Sequence, residues 1–443
     1  MSSSILITNA SVMGAPVENI LIKDGVIAGR AVAADTAADV VIDAGGAIAL
    51  PGLVDLHTHL REPGFEQSET VLTGTQAAAA GGFTTVFAMA NTNPVADSAG
   101  VVEQVKSLGD EAGYATVRPI GAVTVGLAGE RLADIGAMAE SRAQVTVFSD
   151  DGKCVHDSLL MRRAMEYVKT FDGVIAQHAQ DPRLTIDAQM NEGEVSARLG
   201  LNGWPAVAEE AIIARDVLLA EHLDARLHIC HLSTAGSVEI VRAAKARGVA
   251  VTAEVTPHHL LLTDASAENY DARFKVNPPL RTEADTLALR DAVADGTIDI
   301  VATDHAPHPI DTKDCEWDHA AFGMVGLESA LPIVTKTLIE TGKLDWVGVA
   351  RVLSQTPARI GKLEGARALA VGEVADIVIF DPKTSRTWGV TDLAGRSTNT
   401  PFSGIELPGR VLHTIRHGYF TVTDGAVVSP ESVAAAAEQD RRG

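Results

Sequence analysis

His57 and His59 stand two residues apart at the end of the apolar run Leu53-Val54-Asp55-Leu56, and Arg61 follows at the same spacing. In an extended strand, residues i and i+2 share a face, so the two imidazoles project together. Paired imidazoles on rigid backbone suit a divalent transition metal, and a neighbouring guanidinium suits a carboxylate. The chemistry such a trio would support is metal-assisted hydrolysis of a small acidic molecule.

If that reading holds, further ligand-type residues should close other apolar runs. Asp150 and Asp151 follow Val145-Thr146-Val147-Phe148, and His178 closes Val174-Ile175-Ala176-Gln177. His231 follows Leu227-His228-Ile229-Cys230, and Asp304 and His305 follow Ile300-Val301-Ala302-Thr303. A lone strand-end Asp is usually a turn or cap residue, and a lone His is usually a hydrogen-bonded core or surface residue. Five strand ends carrying such residues are hard to explain by turn chemistry. His228 lies three residues before His231, so it should face elsewhere as a packed core histidine. His258 and His259, after Val255-Thr256-Pro257, read as structural or supporting residues, as does His305.

The elements that must position these groups alternate. Candidate strands lie near 53–57, 84–89, 116–123, 145–149, 174–178, 226–230, 250–255 and 298–303, with helical stretches at 68–81, 157–170, 204–222, 234–247 and 283–295. Alternation of this kind predicts an α/β fold with a parallel sheet, and eight strands would close a (β/α)8 TIM barrel with its chemistry at the C-terminal strand ends. An open doubly wound sheet is the competitor, but no G-x-G-x-x-G follows the first strand. Both chain ends read as short strands between Asn, Gly and Asp turns. The expected division is therefore a barrel over residues 51–359 and a small β-sandwich domain built from 1–50 and 360–443. Residues 305–323, long and irregular after a candidate catalytic strand, form a candidate lid, with an ordinary mobile surface loop as the plainer reading of 310–320. The tail from 431 to 443 is expected to fray.

A chain of 443 residues, 46% hydrophobic and 21% charged, has ordinary globular composition. Its net charge of −22 argues against nucleic acid or an anionic membrane as the main partner. Cys154, Cys230 and Cys315 are widely spaced and read as reduced thiols. No basic segment precedes an apolar core at the N-terminus, and no run of about 18 apolar residues occurs, so a cytoplasmic protein is expected.

Several longer motifs carry a resemblance. They are His57-Thr58-His59-Leu60-Arg61-Glu62-Pro63-Gly64, Met89-Ala90-Asn91-Thr92-Asn93-Pro94, Phe148-Ser149-Asp150-Asp151-Gly152, Gln177-His178, His231-Leu232-Ser233-Thr234, Asn277-Pro278-Pro279-Leu280-Arg281 and Ala302-Thr303-Asp304-His305-Ala306-Pro307-His308. The pattern resembles the amidohydrolase superfamily and, within it, the dihydroorotases of the longer bacterial type (class I), over nearly the whole chain. Ala90 departs from it, standing where that family more often has Pro. The resemblance implies a zinc enzyme of de novo pyrimidine (UMP) biosynthesis that reversibly closes N-carbamoyl-L-aspartate to (S)-dihydroorotate. It implies one zinc on His57, His59 and Asp304, a second on His178 and His231, and Asp151 with a hydroxide bridging both. Many relatives bridge with a carbamylated lysine. Here Asp150 is the rival carboxylate, and Lys153 reads as a solvated loop residue.

Asp304 would be the catalytic base. Arg61 would clamp the substrate carboxylate, with Asn91 and His308 adding hydrogen bonds and Asn277 meeting the ring edge. Asn91 and Asn277 also suit plain turns, given their N-T-N-P and N-P-P contexts. His59 and the backbone at Phe322 and Gly323 complete the implied substrate contacts. A homodimer and association with aspartate transcarbamoylase are the implied assemblies. Two rivals remain. One is another cyclic amidase, a hydantoinase or allantoinase, expected to use a lysine bridge. The other is a silent homologue scaffolding aspartate transcarbamoylase, against which the intact Asp304 counts. Metal analysis of the purified protein, alongside turnover of dihydroorotate and of hydantoins, separates them: zinc with dihydroorotate turnover is expected, and zinc-free active protein or exclusive hydantoin turnover would overturn the reading.

Overall fold

The computed structural model describes residues 4–440; residues 1–3 and 441–443, at the outer ends of the two terminal segments, lie outside it. Five strands open the chain: β1 (Ser4–Val12), β2 (Val17–Lys23), β3 (Val26–Arg30), β4 (Val40–Asp43) and β5 (Ile48–Pro51). Eight parallel strands follow: β6 (Leu53–Thr58), β7 (Phe83–Ala88), β8 (Thr116–Pro119), β9 (Val147–Phe148), β10 (Val174–Gln177), β11 (Leu227–Ile229), β12 (Val251–Val255) and β13 (Ile300–Val301). Four more end the fold: β14 (Ile377–Thr387), β15 (Glu406–Arg416), β16 (Tyr419–Thr423) and β17 (Ala426–Val427).

Strands β6 to β8 form one parallel ladder and β9 to β13 another. A parallel bridge between Gly121 and Phe148 joins β8 to β9, and one between Thr58 and His305 joins β13 back to β6. The eight strands thus close on themselves. Closure explains why runs such as Leu53–Thr58 and Phe83–Ala88 are buried at every position, since one face fills the barrel and the other meets the helices. The helices over Val71–Ala80, Ser158–Lys169, Val207–Leu223, Ala235–Ala246 and Glu283–Asp295 fall on the stretches read as helical from the sequence. Their starts are chemically marked: Thr70, Asp157, Thr234 and Thr282 each accept a first-turn backbone N–H through the side chain. The helix over Ala99–Ala112 was not among those stretches.

The strands from both chain ends share one nine-stranded ladder, in the order β17-β16-β15-β14-β5-β1-β2-β3, with β4 on the other side of β1. This is the β-sandwich layer, and β14 shows how it is tied to the barrel. Ile377 and Ile379 enter a core with Ile5, Ile7, Ile20, Ile22 and Ala49, whereas Val378 and Phe380 pack into the barrel's outer core with Leu53 and Phe83. Period-two alternation therefore serves two cores at once. The tail forms a helix over Pro430–Asp440 whose Val433 and Ala437 are buried in the barrel's outer core, so this stretch is packed rather than frayed.

Gly52 is the hinge between the layers. Its N–H donates to the Asp376 carbonyl at 2.8 Å, and its carbonyl accepts from Ser354 Oγ at 2.8 Å and Arg367 Nη1 at 2.9 Å. A Cβ there would stand 2.3 Å from Thr84 Oγ1 and 2.9 Å from Thr84 Cβ. Gly52→Ala is expected to lower stability by about 1–3 kcal/mol through overpacking, read from urea denaturation; an unchanged midpoint would show that the junction can relax.

Candidate active site

The barrel brings the C-terminal ends of β6, β9, β10, β11 and β13 to one place. Asp151 lies at its centre: its Oδ1 is 3.4 Å from His57 Nε2, 3.3 Å from His178 Nδ1 and 3.3 Å from His231 Nε2. Its Oδ2 is 3.4 Å from His59 Nε2. Asp304 Oδ1 lies 2.9 Å from His59 Nε2 and 3.4 Å from His57 Nε2. All six residues are buried. Asp150 takes no part: it turns back to accept from the backbone of Val123 and Thr124 and from the Thr124 hydroxyl. Lys153 is exposed.

The far side of three rings is fixed by an acceptor. His57 Nδ1 donates to Glu254 Oε1 at 2.6 Å, His59 Nδ1 to Asn91 Oδ1 at 3.0 Å and His178 Nε2 to Gln180 Oε1 at 2.7 Å. A proton held there leaves the other nitrogen's lone pair facing inward, which is how imidazole ligands are aimed. His57 Nε2 is buried with no hydrogen-bond partner, and His178 Nδ1 and His231 Nε2 stand 2.9 Å apart. Converging lone pairs beside two carboxylates want a cation. Burial works against the His57 imidazolium, yet Asp151, Glu254 and Asp304 outweigh it and hold its pKa well above the ordinary imidazole value. For Asp304 burial pushes the pKa up, but His57, His59 and His231 prevail and bring it down to about 2. Groups able to hold a metal overlap around Asp151: His57, His59 and Asp151; Asp151, His178 and His231; and, spanning these two, His57, His231 and Asp304.

Above this cluster sit the other expected residues. Arg61 adopts left-handed backbone (φ 65°), and its Nε donates to the Pro307 carbonyl at 3.2 Å, bringing its Nη2 within 3.4 Å of His308 Nε2. Burial lowers its pKa to about 10, against the pull of Asp304 and Asp151, so it stays charged at neutral pH. His308 Nε2 donates to the Phe322 carbonyl at 2.8 Å, and burial together with the Arg61 charge lowers its pKa to about 3, so it is neutral. Asn91 spends its carbonyl oxygen on His59. Asn277 Nδ2 donates to Gln180 Oε1 at 3.1 Å, while its buried Oδ1 has no partner.

Sequence reading missed Glu254, Gln180 and Asp55. Asp55 accepts from the backbone of His57 at 3.0 Å and of Thr303 at 3.1 Å, tying β6 to the strand end that carries Asp304. The available signals were a carboxylate inside the apolar run Val251–Val255 and a glutamine two residues after His178. His228 is buried, as expected of a core histidine, but its Nε2 donates to Glu254 Oε2 at 3.0 Å. His259 is held by Thr256 and Pro278; His258 Nε2 is buried without a partner. His305 accepts the Gly326 N–H on Nδ1 at 3.2 Å.

Loop 305–323 is anchored. The buried Lys313 ammonium donates to the carbonyls of Lys275 at 3.0 Å, Ala321 at 2.7 Å and Gly323 at 2.9 Å. Lys275 donates to the Trp317 carbonyl at 2.6 Å and lies 4.4 Å over the Phe322 ring. Gly323 (φ +134°) admits no side chain, since a Cβ would stand 2.8 Å from Ala306 Cβ and 2.9 Å from His308 Nε2.

A closed parallel barrel with clustered strand-end His and Asp, joined to a β-sandwich from both chain ends, defines an amidohydrolase-type enzyme. Its fold matches an L-hydantoinase from Arthrobacter aurescens with a TM-score of 0.86, covering 97% of this chain and 98% of that one at 23% identity. A dihydropyrimidinase from Brevibacillus agri matches with a TM-score of 0.82, covering 96% of each chain at 22% identity. A family model described as dihydro-orotase-like matches residues 46–237. Proteins named dihydroorotase from Leifsonia xyli subsp. xyli and Streptomyces coelicolor are 65% and 64% identical, over 98% and 96% of this chain and 99% of each relative. One from Mycobacterium tuberculosis is 54% identical over 92% of this chain and 96% of its own length. The chain belongs to the dihydroorotase family and shares its activity as a cyclic amide hydrolase.

Lys313→Met would remove the donor shared by the carbonyls of Lys275, Ala321 and Gly323 and so untie the loop at that point. A folded protein whose 305–323 loop is cut faster in limited proteolysis is expected; an unchanged cleavage rate would show that the anchor lies elsewhere.

Proposed function

We propose that this chain interconverts N-carbamoyl-L-aspartate and (S)-dihydroorotate with two zinc ions, one held by His57, His59 and Asp304, the other by His178 and His231, with Asp151 shared between them. The observation that carries the proposal is the position of Asp151, whose two oxygens lie within 3.4 Å of nitrogens from all four histidines. An unmodified carboxylate can serve two cations, so no lysine is needed, and exposed Lys153 is not placed to supply one. When bound, such a metal pair lowers the pKa of a water and polarises a carbonyl.

The chain's own groups supply the rest. Asp304 is ionised, and its Oδ1 is turned to His59, so Oδ2 takes the proton of the attacking water and returns it to the departing amide nitrogen. Ring closure runs the same transfers backwards. Arg61, charged and fixed by Pro307, grips the substrate carboxylate, with Asn91 Nδ2 and His308 beside it. The unpartnered Oδ1 of Asn277 accepts an N–H from the ring edge, and the anchored backbone of Phe322 and Gly323 completes the pocket. In this reading residues 51–359 carry the chemistry, and 1–50 with 360–443 form the supporting β domain. The same reading makes the enzyme a cytoplasmic homodimer of pyrimidine biosynthesis, with aspartate transcarbamoylase as a partner to test. No helix among the described residues is long and apolar enough to cross a membrane.

Asp304→Asn keeps the shape and removes the base. A loss of about 10²–10⁴-fold in kcat on dihydroorotate is expected, with a smaller change in KM; full activity in the variant would remove Asp304 from this role.

A further inference from the structure

Glu254 belongs to none of the motifs above, yet it is fully buried on β12 beneath the site. Its two oxygens face different partners. Oε1 accepts from His57 Nδ1 at 2.6 Å and from the backbone N–H of His231 at 3.2 Å. Oε2 accepts from His228 Nε2 at 3.0 Å, which fixes the His228 tautomer so that its Nδ1 accepts from the Thr252 hydroxyl at 2.8 Å. Thr252 in turn lines a cavity of about 270 Å³ at the opposite, N-terminal mouth of the barrel. A continuous polar chain therefore runs through the barrel interior from that mouth to His57.

His57 and His231 come from different strands, approach the same Asp151 oxygen at 3.4 Å and 3.3 Å, and are assigned to different ions in the proposed metal pair. For His57, an acceptor at Nδ1 keeps the proton there and aims the Nε2 lone pair inward. For His231, the bond is to backbone, and that backbone is in a left-handed conformation (φ 33°) that a residue with a side chain adopts only when its surroundings hold it. One Glu254 oxygen thus sets the tautomer of one ligand and the main chain of another.

We propose that Glu254 is a positioning residue shared by both metal sites, with His228 and Thr252 steadying its far oxygen. The proposal rests on the reading of His57 and His231 as metal ligands. A carboxylate that merely stabilised the barrel would, when changed, lower stability without a separate loss of metal affinity. A positioning carboxylate would weaken metal binding in protein that remains folded.

Glu254→Gln tests this, because an amide offers one acceptor oxygen where the carboxylate offers two and cannot serve both His57 and His228. Zinc affinity of the full chain is measured by competition with a chromophoric chelator for wild type, E254Q and D151N, with circular dichroism to verify folding. We expect E254Q to hold zinc about 10–100-fold more weakly than wild type, and its kcat to recover as zinc is added in excess. Wild-type zinc affinity in E254Q, with D151N impaired, would overturn the role of Glu254 while leaving the metal reading intact. Equal zinc binding by wild type and D151N would instead sink the metal reading. Should E254Q fail to fold, Glu254→Asp keeps the charge and withdraws it by one methylene: weakened zinc binding supports the proposal, and wild-type affinity overturns it.

Discussion

Nitrogens from four histidines, carried on three strands, lie within 3.4 Å of the oxygens of one buried carboxylate, Asp151. Little else in the barrel interior is as demanding. A carboxylate in low dielectric is costly unless charge or hydrogen bonds compensate it, and lone pairs crowded together repel. Here the compensation comes from imidazoles, and burial on Asp151 is outweighed by His57, His178 and His231, which hold it well below the usual carboxylate range. The set is balanced by positive charge at its middle, whether as protons or as a cation. That requirement explains why so many ionisable groups are tolerated where an ordinary barrel packs Val, Ile and Leu.

Holding those groups in place strains the backbone at the same spots. Arg61, His231 and Asp304 all adopt positive φ, at the ends of β6, β11 and β13 or just beyond. Such conformations cost of order 1–3 kcal/mol each and persist only where neighbours fix them. The neighbours are identifiable: Glu254 on the His231 N–H, Asp55 between β6 and Thr303, and the Pro307 carbonyl on Arg61. The closing bridge between Thr58 and His305 then places the first and last strands, and with them His59 and Asp304, side by side.

The rim follows another logic. Two lysines, Lys275 and Lys313, fasten the loop over the pocket by donating to main-chain carbonyls, so that its conformation depends on hydrogen bonds rather than on a regular element. The β-sandwich contributes from behind. Its strand β14 packs one face into its own core and the other against the barrel, which ties residues from both chain ends to the barrel's outer wall. At the rim itself Arg61 is tied to the Pro307 carbonyl, Asn91 to His59, and His308 to the Phe322 carbonyl.

The alternation of apolar runs and amphipathic stretches was enough to predict a parallel barrel, because strand burial on both faces and helix burial on one leave distinct periods in the chain. The strand-end positions of His57, His59, Asp151, His178, His231 and Asp304 were legible for the same reason, since a polar residue closing a buried run stands out. What the chain could not reveal was the partnering across strands. Asp150 and Asp151 are neighbours of one type, and only the turn that feeds Asp150 to Thr124 separates their tasks. Glu254 is a single charge inside an apolar run, and Gln180 and Lys313 lie outside the candidate strands and helices. Their contacts span from 2 to 197 positions of sequence, such as Glu254 with His57. Local periodicity along the chain establishes which residue types end which strands. Tertiary structure alone decided which of them face one another, because hydrogen-bond geometry at about 3 Å is set by barrel closure and not by spacing along the chain.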